Sequence, residues 1–347
     1  MKPRSLSSFV LPVTASLYEV VEKMEENTKG LVVLVYEDNQ VHSIITDPDV
    51  RRLLLKKVDF ERTAKDFSNQ NFKYWESDES EIGAYAFLKR TGFRELPLLD
   101  KNRHLLGVLF AEDAELSIYE NPVVIMGGGL GQRLRPLTEN CPKPMVLVQG
   151  KPILERIIEN LINQGFYRFI ISINYLGEQI EEYFGDGHKW GISITYIREP
   201  EKLGTAGSLG LLEDEYRNLP LLVLNGDVLT RVNYAHLLEY HIRNESAATM
   251  CVRNYELQIP FGVIQEKDGQ IVSIEEKPVI SNYINAGIYC LSPGMLDLVC
   301  GKKRIDMPEV FMMAKKSGCK TNVFPVHEDW IDVGNSVDHQ KAEQSLL

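Results

Sequence analysis

The sequence predicts an α/β protein: a mostly parallel central sheet flanked by helices, preceded by a smaller α+β module. Three observations carry that expectation. Beyond residue 121, short apolar runs alternate with amphipathic helical patterns, which is the signature of βαβ units and a parallel sheet. The first of those runs ends in three consecutive glycines. The first third of the chain repeats itself at a fixed offset.

That repeat is read from strand–turn–strand patterns. Leu31 to Val35 is a strand candidate, Glu37 to Gln40 a polar turn, and Val41 to Ile45 a second strand. Leu96 to Leu99, Asp100 to Arg103 and Leu105 to Phe110 copy it. Ser43 to Gly107, Thr46 to Phe110 and Asp49 to Asp113 are each 64 residues apart. A helical pattern precedes each hairpin, with Leu17, Val20, Val21 and Met24 on one face in the first copy and Tyr85 and Leu88 in the second. The charged run Asp47 to Arg52 reads as a solvated helix start.

Ile118 to Pro122 is a short connection, so we expect domains at 1–118 and 121–347. Val123 to Met126 reads as a buried strand leading into Gly127-Gly128-Gly129. Pro152 to Asn163 is an amphipathic helix with Pro152 near its first turn and Gly165 ending it. Phe169 to Ile173 and Leu221 to Leu224 are further buried strands. Ligands on such sheets sit at the carboxyl ends of the strands. The glycine loop, Asn174-Tyr175 and Asn225-Gly226-Asp227 all fall there.

Bulk properties remove several function classes. Hydrophobic residues make up 44% and charged residues 25%, as in ordinary globular chains. The net charge of −11 and the lack of a basic stripe argue against nucleic-acid binding. The five cysteines form no C-x-x-C pair and are odd in number, which argues against a disulfide framework or zinc site and for reduced thiols in a cytoplasmic setting. No apolar run approaches the length that spans a bilayer, and no secretory pattern opens the chain, so no membrane partner is expected.

The glycine loop carries the chemistry. Glycines beyond a strand let backbone N–H groups approach a ligand, and converging N–H dipoles bind anions. Arg133 and Lys143 add positive charge, as a nucleoside triphosphate requires. Gln132 breaks the G-x-G-x-x-G dinucleotide fingerprint, and no lysine follows Gly131 as a Walker loop demands. Asp227 follows an apolar strand directly and reads, on its own, equally as a Mg²⁺ ligand or a turn cap. Asp332, between Trp330 and Gly334, is open in the same way. Lys277 in Glu275-Glu276-Lys277-Pro278 reads either as a site for an anionic second substrate or as a solvated turn.

In order, GGGLGQRLRPLT, PKPM, LGTAG, NGD, FGVI, EEKP, NAGIY and W-x-D-x-G resemble the sugar-1-phosphate nucleotidyltransferase family over residues 121–347. The resemblance implies a glycosyltransferase-A-like, Rossmann-like fold. It implies synthesis of an NDP-sugar and pyrophosphate from an NTP and a sugar 1-phosphate, with Mg²⁺. By motif position, Gly128, Gly129 and Gly131 line the phosphates, Arg133 holds the triphosphate, and Lys143 holds the α-phosphate region. Gly204 borders the nucleoside, and Asp227 and Asp332 bind Mg²⁺. Gly262, Glu276 and Asn285 contact the sugar, and Lys277 its phosphate. Gln132, where Thr or Ser is usual, departs from the pattern.

The hairpins closing on T-x-x-D resemble cystathionine-β-synthase (CBS) motifs, two of which form a regulatory pair. That resemblance implies an adenine nucleotide on Thr46 and Asp49, and a homodimer or larger assembly built partly on residues 1–118. Phe110 replaces the hydroxyl in the second copy and Ser43 a usual glycine in the first, so a purely dimerising pair stands as the alternative. CBS pairs joined to short catalytic domains are similar to enzymes of bacterial surface-glycan and flagellin-sugar synthesis. GTP is the favoured base, with CTP, UTP and dTTP open. Two other classes compete: an inactive nucleotide sensor, opposed by the presence of Arg133, Lys143, Asp227 and Asp332, and a dinucleotide oxidoreductase, opposed by Gln132.

Overall fold

The computed structural model describes residues 6–77, 81–113, 118–301 and 304–344. The chain divides into two compact units, residues 1–118 with 188–192, and residues 119–187 with 193–347. The short excursion at 188–192 is not visible in the sequence pattern.

In the first unit the repeat is structural. The first copy runs β1 (Val10–Pro12), α1 (Leu17–Asn27), β2 (Leu31–Val35), β3 (Val41–Thr46) and α2 (Asp47–Leu55). The second runs β4 (Trp75–Glu76), α3 (Glu81–Thr91), β5 (Glu95–Leu99) and β6 (Leu105–Phe110). Helices α1 and α3, strands β2 and β5, and strands β3 and β6 start and stop 64 residues apart. Each copy forms a three-stranded sheet, and each hairpin shifts register at the same place, Leu34/Val35 and Leu98/Leu99. Helix α1 starts where it does because Ser16 and Glu19 form a reciprocal capping box. It buries Leu17, Val20 and Met24 against β2 and β3.

The copies diverge after the hairpin. Thr46 and Asp49 open α2 by hydrogen-bonding each other, with Thr46 N and Oγ1 both donating to Asp49 Oδ2 at 3.0 and 2.7 Å. At the matching place in the second copy Phe110 is buried beside Phe9, with ring centroids 5.6 Å apart, and a short turn, Ala111–Asp113, follows. An aromatic ring cannot cap a helix, so burial decides its fate instead.

In the second unit, strand β7 (Val123–Met126) precedes a small ribbon of β8 (Leu147–Val148) and β9 (Lys151–Pro152). Then come α4 (Ile153–Asn163), β10 (Arg168–Ile173), α5 (Gly177–Phe184), β11 (Ser193–Arg198), β12 (Leu221–Asn225), β13 (Val228–Thr230) and α6 (Tyr234–Arg243). Strands β14 (Ala248–Gln258), β15 (Gly262–Lys267), β16 (Gln270–Glu276) and β17 (Val279–Leu291) follow in succession. Helix α7 (Met307–Lys316), β18 (Thr321–Pro325), β19 (Trp330–Asp332) and α8 (Ser336–Gln344) complete the unit. Seven strands make the central sheet in the order β11-β10-β7-β12-β17-β14-β18. Its first four are mutually parallel; β17 runs against both its neighbours. Val123, Val124 and Ile125 are fully buried, as a middle strand covered on both faces requires. Helix α4 covers one face with Ile153, Leu154, Ile157, Ile158, Leu161 and Ile162.

One buried polar cluster fixes α6 against the sheet. His241 is 1% exposed, with Nδ1 2.8 Å from Thr249 Oγ1 and Nε2 3.0 Å from Ser292 Oγ. Ser292 spends its hydroxyl proton on Ser246 O at 2.8 Å. Nε2–H must therefore donate to Ser292, which leaves Nδ1 to accept from Thr249 in the neutral ring. Burial pulls the His241 pKa down to about 4. A depressed folded-state value means that its contribution is present above the usual histidine pKa and is lost as pH falls towards 4. We expect His241→Gln to remove up to about 3 kcal/mol of the stability difference between pH 7 and pH 4. Urea denaturation at both pH values checks this; parallel losses in wild type and variant would refute it.

Candidate active site

A cleft of about 540 Å³ opens at the carboxyl ends of β7, β11 and β12. Gly128, Gly129 and Gly131 line it, with Arg133, Lys143, Gly204 and Asp227. Gly131 is glycine for two reasons. Its φ is +61°, and a Cβ there would lie 2.8 Å from Thr138 Cγ2. Thr138 in turn donates to Gly131 O at 2.8 Å, which closes the loop on itself. Gly204 has φ +81°, and a Cβ there would meet Ile305 O at 2.6 Å. The next residue, Thr205, donates its N–H to Asp306 Oδ1 at 2.8 Å, so the loop is tied to the start of α7.

Lys143 sits in a tight turn between Pro142 and Pro144 and is almost wholly buried. Its Nζ forms an ion pair with Asp227 Oδ2. Asp227 immediately precedes β13, and β13 pairs antiparallel with β19 so that Val228 faces Asp332. Val333 N also donates to Asp227 O at 2.9 Å. Two carboxylates more than 100 residues apart in sequence are thereby held together. Asp332 lies just beside the cleft lining, near Gly334, and Arg133 approaches the same glycine.

The electrostatics of this cluster are unsettled in the isolated protein. Asp227 Oδ1, Asp332 Oδ1 and Asn225 Oδ1 are buried and accept no hydrogen bond. Burial, and then the neighbouring Asp227 charge, raise the Asp332 pKa above the ordinary carboxylate value; Lys143 and Arg133 pull the other way. Unpartnered buried carboxylate oxygens are costly unless something binds them. Among the described residues no group of three or more His, Cys, Asp or Glu side chains gathers for a metal. Two carboxylates suit Mg²⁺, which takes one or two of them and fills its shell with phosphate oxygens and water.

Several lining residues have no motif to announce them. Glu199 follows β11 directly, accepts from Ser172 Oγ at 2.6 Å and from Leu203 N at 3.2 Å, and lies where a Gly128 side chain would be. Lys202 and Arg304 add two more cations to the wall. The available signal for Glu199 and Lys202 was position: Glu199 directly follows a strand, and Lys202 immediately precedes the Leu203–Gly207 glycine turn.

The residues expected to contact a sugar phosphate do not line this cleft. Gly262 and Glu276 face each other across the β15/β16 pair. Lys277 follows with φ +49°, its N–H donating to Phe261 O at 3.3 Å. None of the three lines the cleft. Asn285 lies on β17, donating to Tyr289 OH at 2.7 Å and accepting from Gly287 N at 3.0 Å. In the first unit, Asp49 Oδ2 is committed to Thr46 and Oδ1 to Arg52. A cavity of about 660 Å³ in this unit is lined by Lys29 and Arg94 against Glu25, Asp47, Glu95 and Glu112. Burial there raises the Glu95 pKa.

A nucleotidyl transferase family model matches residues 122–347, and the chain belongs to that family. A CBS domain model matches residues 5–56. The chain is 37% identical over 223 residues to a mannose-1-phosphate guanyltransferase of Yarrowia lipolytica, covering 62% of this chain and 61% of that protein. It is 29% identical over 243 residues to a UTP–glucose-1-phosphate uridylyltransferase of a Synechocystis species, covering 65% of this chain and 63% of that one. The chain thus spans less than two thirds of the length of these curated relatives. Among solved structures, HddC from Yersinia pseudotuberculosis complexed with GMP-PN matches with a TM-score of 0.52 and 27% identity, over 65% of this chain and 98% of that one.

The carboxylate pair makes a testable demand. A raised folded-state pKa means that the stabilising proton is present below the ordinary carboxylate range and lost as pH rises through the raised value. In chelator at neutral pH, Asp332→Asn should therefore melt above wild type. The gap should close towards pH 4. Added Mg²⁺ should raise the wild-type melting temperature and leave the variant unmoved. A variant that melts below wild type in chelator would contradict this account of the site.

Proposed function

We propose that this protein is a cytoplasmic sugar-1-phosphate nucleotidyltransferase that makes an NDP-sugar and pyrophosphate. The observation that carries the reading is the meeting of the glycine loop, the buried Lys143–Asp227 pair and Asp332 at one cleft. GTP is the favoured nucleotide. The guanyltransferase name of one relative and the GMP-PN in HddC support it, and the uridylyltransferase keeps UTP as the second candidate. The product would feed bacterial surface-glycan or flagellin-sugar synthesis.

The chemistry needs no protein base. A sugar 1-phosphate is an anionic nucleophile near neutral pH. One of its oxygens bonds to the α-phosphorus as the bond from that phosphorus to the α–β bridging oxygen breaks, and pyrophosphate leaves with the electron pair. The obstacle is bringing anions together, so catalysis is positioning and charge neutralisation. The N–H groups of Gly128, Gly129 and Gly131 hold the phosphates, and Arg133 neutralises the triphosphate. Lys143 exchanges the Asp227 carboxylate for an oxygen at the α-phosphate, where charge shifts in the transition state. Asp227 and Asp332 would hold Mg²⁺, which when bound neutralises phosphate charge. Gly204 borders the nucleoside. Gly262, Glu276 and Asn285 are assigned to the sugar, and Lys277 to its phosphate.

In the first unit, an adenine nucleotide on Thr46 and Asp49 would have to replace the hydrogen bonds that open α2. The excess of carboxylates in the neighbouring cavity favours a structural or dimerising role over binding of a free phosphate.

Pyrophosphate release by the full chain, with each of four NTPs, Mg²⁺ and mannose, glucose or heptose 1-phosphate, tests the proposal. GTP should turn over fastest. Lys143→Ala should lower kcat by roughly 10²–10³, the scale for losing one preorganised charge-stabilising group, and raise the NTP KM far less. Added AMP, ADP or ATP should leave the rate unchanged. Absence of pyrophosphate with every pair would reduce the protein to a nucleotide-binding one, and a pure KM effect would make Lys143 a binding residue only.

A further inference from the structure

Lys143 and Asp332 reach the cleft from distant parts of the chain. The β13/β19 pairing ties Asp332 to Asp227. Lys143 needs a tie of its own. Its turn, Lys143–Met145, runs directly into the β8/β9 hairpin, with Val146 N–H donating to Lys143 O at 3.2 Å and Ile153 N–H to Val146 O at 3.0 Å.

The hairpin is held by hydrogen bonds more than by packing. Leu147 is 53% exposed. Val148 and Gln149 share with Leu229 and Thr230 of β13 the lining of a cavity of about 270 Å³. Arg156 of α4 donates to Val148 O at 2.8 Å and to Gln149 O at 3.1 Å. Helix α8 supplies the other bonds. His339 Nε2 lies 2.7 Å from Leu147 O. A carbonyl only accepts, so Nε2 carries the proton. Gln149 N–H donates to Glu343 Oε2 at 3.0 Å, and Gln149 Nε2 to Glu343 O at 3.2 Å.

Two further features point to these contacts. Gln149 and Gly150 form the two-residue turn of the hairpin at φ +50° and +78°. Such turns favour Asn-Gly, and a side chain at positive φ persists where its surroundings over-determine it. Here the backbone and side-chain donors of Gln149 both meet Glu343. Second, α8 buries only Ala342, so no apolar stripe docks it. Its start is fixed by Asn335 Oδ1, which accepts from Val337 N and Asp338 N at 2.9 and 3.0 Å. The helix therefore begins just after Asp332 and lands on the hairpin that follows Lys143.

We infer that His339 and Glu343 are positioning residues for the transfer: by docking α8 on the hairpin they hold the Lys143 turn and the Asp332 loop at one spacing. They act through Lys143 and Asp332 and touch no substrate. The inference rests on the transferase reading of the cleft. A group misplaced by about 1 Å can lose about 10²-fold in rate, so a loosened hairpin should slow the transfer more than it weakens binding.

The test compares His339→Ala/Glu343→Ala with His339→Gln/Glu343→Gln in the full chain. The glutamine pair keeps an amide donor for Leu147 O and a carbonyl acceptor for Gln149 N–H. With saturating Mg²⁺, the alanine pair should lower kcat for pyrophosphate release about tenfold and move the NTP KM by less than about twofold. The glutamine pair should restore most of the lost rate. In the ligand-free protein the amides of Met145 and Val146 should exchange faster in the alanine pair and return to wild-type rates in the glutamine pair, with circular dichroism the same for all. Wild-type kcat in the alanine pair would overturn the inference, whatever its melting temperature, and so would a loss that the glutamine pair does not repair. If wild type releases no pyrophosphate, the transferase reading fails, and exchange alone decides: unchanged Met145 and Val146 rates in the alanine pair would show that α8 does not hold the turn.

Discussion

The proposed activity of the second unit depends on two carboxylates held side by side in a partly buried corner, with Lys143 paired to one of them. Asp227 and Asp332 repel each other, and burial makes that repulsion worse. Lys143 neutralises one oxygen of Asp227 and leaves one oxygen on each aspartate without a donor. Such an arrangement is unstable in electrostatic terms unless a cation completes it. The scaffold tolerates it because the short β13/β19 pairing fixes Asp332 opposite Val228 and backbone hydrogen bonds fix the loop that follows.

The scaffold itself is ordinary. Three of the four parallel strands, β7, β10 and β12, are buried on both faces, and loops after β7, β11 and β12 line the cleft. Gly131 and Gly204 allow two of those loops to close tightly, each at a positive φ and each with no room for a side chain. The first unit shows a different economy. One supersecondary pattern is used twice, down to the bulge in each hairpin, but only the first copy keeps the hydroxyl–carboxylate pair that starts a helix.

Much of this was legible in the chain. The 64-residue offset marked the repeat, because strand and helix periodicities survive even when individual residues change. Val123 to Met126 with its glycines marked the loop that lines the cleft, and Lys143, Asp227 and Asp332 stood at strand ends or tight turns. Glu199, Lys202 and Arg304 were not singled out. Their relevance depends on which strand ends become neighbours, and pairing order is not written in local periodicity. The exposure of the β15/β16 pair was missed for the opposite reason. Nothing local at 253–285 says whether exposed apolar side chains will find cover within the chain. Thr46 and Asp49 show a third limit: a hydroxyl three residues before a carboxylate reads equally as a ligand site and as a helix cap, and here the two groups bond to each other.

The central claim is that this cleft is complete only with a cation and a triphosphate together. Calorimetric titration of the full chain with GTP, in Mg²⁺ and then in chelator, tests it most directly. The account predicts binding that is at least tenfold tighter with Mg²⁺, a coupling of about 1.4 kcal/mol or more, and its loss in Asp227→Asn. Equal GTP affinity with and without Mg²⁺, or full Mg²⁺ dependence in Asp227→Asn, would contradict it.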